Sequence, residues 1–271
     1  MIHENNERKV TMDRRCFLRH ALGTLVGGLG MGGFARPLMA MGRASRIDVA
    51  YLALRGAPEN PRPGAIEQML LELARNTSVE VKAQAPPIAP TAIDLYDHPM
   101  VALFGVDAPP PMAPDERRAL ERFLRAGGLL FIDDSSGLRK SPFDQWVRHE
   151  LRTIFPNTPL ERISSRHVVF RSFFLTNRVT GRTQISRFLE GITLDAEHTP
   201  VIYSRNDLAG AFARDIAGGY RYECVPGGAV QRTAAYKLGI NILMYALCLN
   251  YKLDLTHVRA LLNRPRGVSD R

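Results

Sequence analysis

The chain has 271 residues, a formal net charge of +9, 45% hydrophobic residues and 23% charged residues. That balance belongs to a folded globular protein and excludes wholesale disorder, a collagen-like repeat and a polytopic membrane protein. Three cysteines are too few for a disulfide-built scaffold.

The first forty residues read as an export address and stand apart from the fold. Arg8, Lys9, Arg14, Arg15 and Arg19 precede a mild apolar stretch, residues 21–35, in which six of 15 residues are glycine. This stretch is shorter than the ~20 residues of a membrane-spanning helix. Each glycine also weakens a helix by up to about 1 kcal/mol relative to alanine. Arg36-Pro37-Leu38-Met39-Ala40 closes the segment, and cleavage is expected after Ala40. Leu38 is large for its place before such a site, so an uncleaved signal acting as a membrane anchor is the alternative.

The junction Arg14-Arg15-Cys16-Phe17-Leu18-Arg19 resembles the twin-arginine export signal. Asp13 stands where that pattern has Ser or Thr, and Arg19 where it has Lys. The resemblance implies passage through the twin-arginine translocase in the folded state. It also implies residence in the periplasm or at the outer face of the membrane. Met12 offers a second start. The first forty residues hold six Lys/Arg and three Asp/Glu, so +3 of the charge leaves with them. The rest is spread along the chain with no basic stripe and interleaved aromatics, which argues against nucleic acid. Anionic headgroups or an acidic partner surface are the expected neighbours of such a domain.

The domain itself is expected over residues 41–271, with its core at about 47–250. Ile47 to Leu54 reads as a strand, followed by a loop rich in Gly and Pro. Ile66, Met69, Leu70, Leu73 and Ala74 recur at helical spacing. Val79 to Val81 reads as a short strand closed by Ala85-Pro86-Pro87. Val101 to Val106 is a continuous apolar run, the pattern of a strand covered on both faces. Pro114, Asp115 and Glu116 open a helix, Leu120, Phe123 and Leu124 form its stripe, and Gly127-Gly128 stops it. Leu129 to Ile132 is a second buried-type strand. Ser141-Pro142 starts a helix with Phe143, Trp146, Val147, Leu151 and Ile154 on one side. Residues 157–199 are irregular, with Val168-Val169-Phe170 as a short strand candidate. Val201 to Ser204 is the last strand, and Thr233 to Leu249 reads as a buried helix too short to span a bilayer. The alternation predicts a three-layer α/β sandwich with a mostly parallel central sheet.

In such a sheet, ligands sit at the carboxyl ends of the strands. Asp133-Asp134-Ser135-Ser136-Gly137 follows a buried strand. It offers a serine nucleophile, a carboxylate base or metal ligand, or only a loop of turn formers. It is not Gly-x-Ser-x-Gly, so a hydrolase elbow is not supported. Asn206 and Asp207 follow the last strand. Either caps the next segment, or Asp207 faces the Asp133-Asp134 pair across the sheet edge. Three carboxylates with no nearby Lys repel one another unless a cation or a shared proton offsets the charge. His167 is a candidate base or ligand just before its strand. Cys224 and Cys248 remain after the signal's Cys16. A disulfide between them is chemically allowed, but the apolar setting of Cys248 favours two free thiols. No cofactor is expected, with a divalent cation at the carboxylates as the exception.

One ordered set of short motifs spans this region. It includes Phe123-Leu124-Arg125-Ala126-Gly127-Gly128-Leu129-Leu130-Phe131-Ile132-Asp133-Asp134, then Phe155-Pro156, Phe170-Arg171-Ser172-Phe173-Phe174 and Leu189-Glu190-Gly191-Ile192. It continues with Val201-Ile202-Tyr203-Ser204, Asn206-Asp207-Leu208 and the Leu238 to Leu247 helix. Together they are similar to the bacterial family called domain of unknown function 4159, over about residues 47–250. The resemblance implies a flavodoxin-like, class I glutamine-amidotransferase-like fold. It also implies cell-envelope partners, von Willebrand factor A-type proteins among them. Class I amidotransferases carry a Cys nucleophile at a strand-to-helix elbow and a later His and Glu. Here the comparable strand end holds Asp134, Ser135 and Ser136, and Tyr203-Ser204 stands where the His and Glu would follow. The expectation is therefore a catalytically degenerate module that binds a ligand or partner through Asp133, Asp134, Asn206 and Asp207. The alternative is a hydrolase using Ser135 or Ser136 with His167, or a carboxylate-bound metal.

Overall fold

The computed structural model describes residues 46–194 and 198–262. Arg14, Arg15, Phe17, Leu18 and the expected cleavage site lie outside them. The expected first strand divides at Asp48 into β1 (Arg46–Ile47) and β2 (Val49–Leu52). Next come α1 (Ala65–Asn76), β3 (Glu80–Val81), β4 (Pro87–Ile88) and β5 (Met100–Gly105). Then come α2 (Pro114–Arg125), β6 (Leu129–Asp134) and α3 (Pro142–Ile154). The chain continues through β7 (Glu161–Arg162), β8 (Glu190–Ile192) and β9 (Val201–Ser204). It closes with a short α4 (Leu208–Phe212) and a long α5 (Gly228–Leu262). Among the described residues, no helix is long and apolar enough to cross a membrane.

The main sheet has seven strands in the order β4-β2-β5-β6-β9-β8-β7, and β1 pairs with β3 beside it. The first five are parallel, β8 runs antiparallel to β9, and β7 antiparallel to β8. Every residue of β5, β6 and β9 is buried, because helices cover both faces. Side chains alternate between the layers. Val49, Met100, Ala102, Phe104, Phe131 and Ile202 pack with α1 and α5. Ala50, Leu52, Val101, Leu103, Ile132 and Tyr203 pack with α2 and α3.

Local chemistry fixes the element ends. Glu116 accepts from the Ala113 amide at the start of α2 (3.0 Å). Ser141 caps α3 by accepting from the Asp144 amide (2.8 Å). β5 ends on Gly105, where only glycine fits, since a Cβ there would sit 2.2 Å from the Phe143 ring. Three expectations change. Val168–Phe170 is a 3₁₀ turn and not a strand: the His167 side chain accepts from the Val169 amide, and Val169 and Phe170 turn into the core. The last helix begins earlier and runs further than Thr233–Leu249. The irregular stretch contains β8, whose Glu190 is gripped by both terminal nitrogens of Arg148 (3.0 and 2.7 Å).

Candidate functional site

The register of β6 sets its last two residues at the carboxyl edge, Asp133 beside Ser204 and Asp134 beside Gly105. Asp207, three residues past β9, joins them through its amide, which donates to the Asp134 carbonyl (3.1 Å). Asp133, Asp134, Asn206 and Asp207 are all fully buried. The structure thus brings together the four residues expected to meet.

Their partners explain how three carboxylates coexist. Asp207 takes a guanidinium fork from Arg62, Nε to Oδ1 and Nη2 to Oδ2, both 2.8 Å. Arg182 Nε also donates to Asp207 Oδ2. Arg62 is itself only 8% exposed; it lies over the Tyr222 ring at 4.5 Å and donates to the Ser135 carbonyl at 2.8 Å. Asp207 also caps α4 by accepting from the Gly210 amide (3.0 Å), as the capping expectation had it. It does so in the left-handed region (φ 51°), which Asp tolerates better than most residues.

Asp134 accepts from the Ser136 amide (2.9 Å) and the Ser141 hydroxyl (2.6 Å), so it shapes the turn and ties it to the α3 cap. Asp133 accepts from the Ala209 amide (2.8 Å), while its Oδ1 has no partner. Burial, and then the charge of Asp207, push the Asp133 carboxyl well above the usual carboxylate range. Asn206 is saturated. Its oxygen accepts from the amides of Ile185 and Ser186 (both 2.8 Å), and its amide donates to the carbonyls of Ser186 and Val179. Gly181 allows this clamp, since a Cβ there would lie 2.3 Å from the Asn206 carbonyl oxygen.

The serine–histidine pair is not assembled. Ser135 and Ser136 follow the carboxyl end of β6, whereas His167 bonds to Thr199, before the amino end of the parallel β9. Its Nδ1 accepts from the Val169 amide, so Nε2 carries the hydrogen and donates to Thr199 Oγ1 (3.1 Å). Burial, then Arg171, lower its pKa and keep it neutral. Ser135 Oγ is buried without a partner, and Ser136 Oγ accepts from the Leu138 amide. A metal fits the carboxylates poorly, because arginines hold Asp207. No group of three His, Cys, Asp or Glu among the described residues is placed to ligate an ion. Both Cys224 and Cys248 are free thiols.

Among the described residues, five cavities of about 310–430 Å³ are lined by residues other than Asp133, Asp134, Ser135, Asn206 and Asp207. The open part of the carboxyl edge lies elsewhere. From β2 the chain steps to β4 on one side and then to β5 on the other. Where a parallel sheet reverses in this way, a crevice opens outside the strand ends. Two adjoining cavities of about 430 and 310 Å³ occupy it and share Tyr51, Ala57, Pro58 and Glu59. Leu52 and Phe104 add apolar wall. The charged lining residues are Glu59, Glu67 and Asp107, with no Lys or Arg among them. Tyr51 donates to the Phe104 carbonyl (3.1 Å), and burial pushes its phenol up to about 12, so it stays a neutral donor. Sequence reading missed this crevice, as well as Arg62 and Arg182. The one available signal was the loop from Arg55 to Gly64, dense in Gly and Pro.

Residues 48–247 match the family described as a domain of unknown function, DUF4159. The chain belongs to this family. No curated protein matches it. The DUF4159 region takes in the buried carboxylates, both arginines that hold them and the whole crevice, while the export-like segment precedes it.

Proposed function

We propose that this DUF4159 chain is an exported binding module on a degenerate class I amidotransferase-like scaffold, whose ligand sits in the crevice outside β2 and β5. One observation carries the reading. At the ends of β6 and β9, Asp134, Asn206 and Asp207 are committed to hydrogen bonds and ion pairs within the fold, while a concave surface lined by Tyr51, Glu59 and Phe104 lies at the strand-order reversal. The placement of β2 between β4 and β5 is also the order of flavodoxin-like folds, whose ligands bind at that reversal. Three carboxylates around walls of Tyr51, Leu52 and Phe104, on a basic chain, suit a ligand with an apolar body and a cationic group.

Phenethylamine is expected to raise the Tm, and the neutral phenethyl alcohol is not. Ala57→Trp, which fills the wall shared by both cavities, should abolish the amine's effect, and Ser135→Ala should leave it intact. A Tm that no amine moves would contradict the site. Export is tested separately. Arg14→Lys with Arg15→Lys should retain nearly all of the chain in the cytoplasm on cell fractionation, and undiminished export would contradict the twin-arginine reading.

A further inference from the structure

The start of α5 forms a second groove of opposite charge. Two adjoining cavities, of about 430 and 390 Å³, share Asn177, Arg178, Val230 and Ala234. Their charged lining residues are Arg178, Arg187 and Lys237, and no carboxylate lines either cavity. Among the described residues none of these three cations has a salt-bridge partner. That sets them apart from Arg62, Arg117, Arg148 and Arg182, each held by a carboxylate. Lys237 Nζ lies over the Phe174 ring at 5.7 Å, but no carboxylate offsets the three charges, and cations gathered in one concavity repel one another, a cost that an anion offsets.

Two further features point the same way. Val230 and Gln231 belong to the first turn of α5, so the positive end of a long helix faces this groove. Gln231 is a fixed wall: its side chain donates to the Gly181 and Val225 carbonyls and accepts from the Gly227 amide. Thr180, only 4% exposed, lines the same cavity, and its hydroxyl has no hydrogen-bond partner.

We propose that this groove binds a phosphate-bearing ligand. Arg178, Arg187 and the first turn of α5 surround the phosphate, and Lys237 meets additional negative charge. Guanidinium forks match phosphate oxygens in pairs, which makes two unpaired arginines at a helix start a fit for this anion. A soluble phosphate ester and a phospholipid headgroup share the chemistry. Leu175, 90% exposed at the rim, offers apolar surface that a lipid would use.

The test uses the full chain and inorganic pyrophosphate. At matched ionic strength, pyrophosphate should raise the Tm above that in sodium chloride. Arg178→Glu with Arg187→Glu should weaken its apparent affinity about tenfold or more, the scale of lost charge-assisted contacts. Both side chains are exposed, so the double variant should keep the ligand-free Tm. Lys140→Glu, an exposed basic position outside the groove, should keep the shift. Flotation on phosphatidylglycerol vesicles separates the sources. A headgroup ligand predicts that the double variant floats less than wild type. A soluble ester predicts unchanged flotation and a Tm raised by glycerol phosphate. The proposal is overturned if pyrophosphate gives no more stabilisation than chloride, or if its effect survives the double variant.

Discussion

Asp207→Ala is expected to destabilise the domain, read as a lower urea midpoint, by about 3–5 kcal/mol through the buried positive charge left without a partner alone. The Arg62 fork and Arg182 both end on this carboxylate, and Arg62 has little route to water. The α4 cap to Gly210 goes with it, a loss of about 1 kcal/mol. Alanine would also have to hold a left-handed backbone, at roughly 1–2 kcal/mol. Asp207→Asn keeps the backbone preference and the capping oxygen, so it should cost less. Adding Arg62→Met to Asp207→Asn should recover part of the loss, since one stranded guanidinium is removed. A loss below about 1 kcal/mol for Asp207→Ala would mean that the carboxylate is free for other work, as a catalytic or ligand-binding group would be.

Asn206→Ala should cost about 3 kcal/mol by the same measurement, because unsatisfied buried groups each cost about 1–3 kcal/mol. The substitution strands the amides of Ile185 and Ser186 and the Ser186 carbonyl. Asn206→Asp separates the two halves of the clamp. One carboxylate oxygen can still accept from both amides, but nothing is left to donate to the Ser186 and Val179 carbonyls. A new charge would also appear at a fully buried position next to Asp207. Asn206→Asp should therefore fail to rescue stability. Wild-type stability in either variant would contradict the clamp.

The Asp207 joint and the Asn206 clamp bear on what the sequence could disclose. β5, β6 and β9 were legible because their apolar runs are covered on both faces, and α3 was legible from its Ser141-Pro142 start. β4, β7 and β8 have two or three residues each, too few for any periodicity to register. Val168-Val169-Phe170 has strand-like composition, yet the preceding His167 side chain captures an amide and turns the backbone. The meeting of Asp133, Asp134, Asn206 and Asp207 followed from the rule that parallel strand ends share one edge. Their counter-charge did not, because Arg62 comes from 145 residues away and Arg182 from a loop without regular structure. With its distant partners included, the cluster contains one ion-paired carboxylate, Asp207, which ties the loop after β2 to the loops around β9. The crevice was hidden for a related reason. Its walls come from the Pro-rich loop after β2 and the end of β5, which no single motif connects.

Amide chemical-shift mapping of the full chain during a phenethylamine titration tests most directly where the ligand edge lies. A site at the reversal between β2 and β5 predicts that the largest shifts fall on Tyr51, Ala57, Glu59 and Phe104. Shifts centred on Asp133, Ser135 and Asp207 would contradict it.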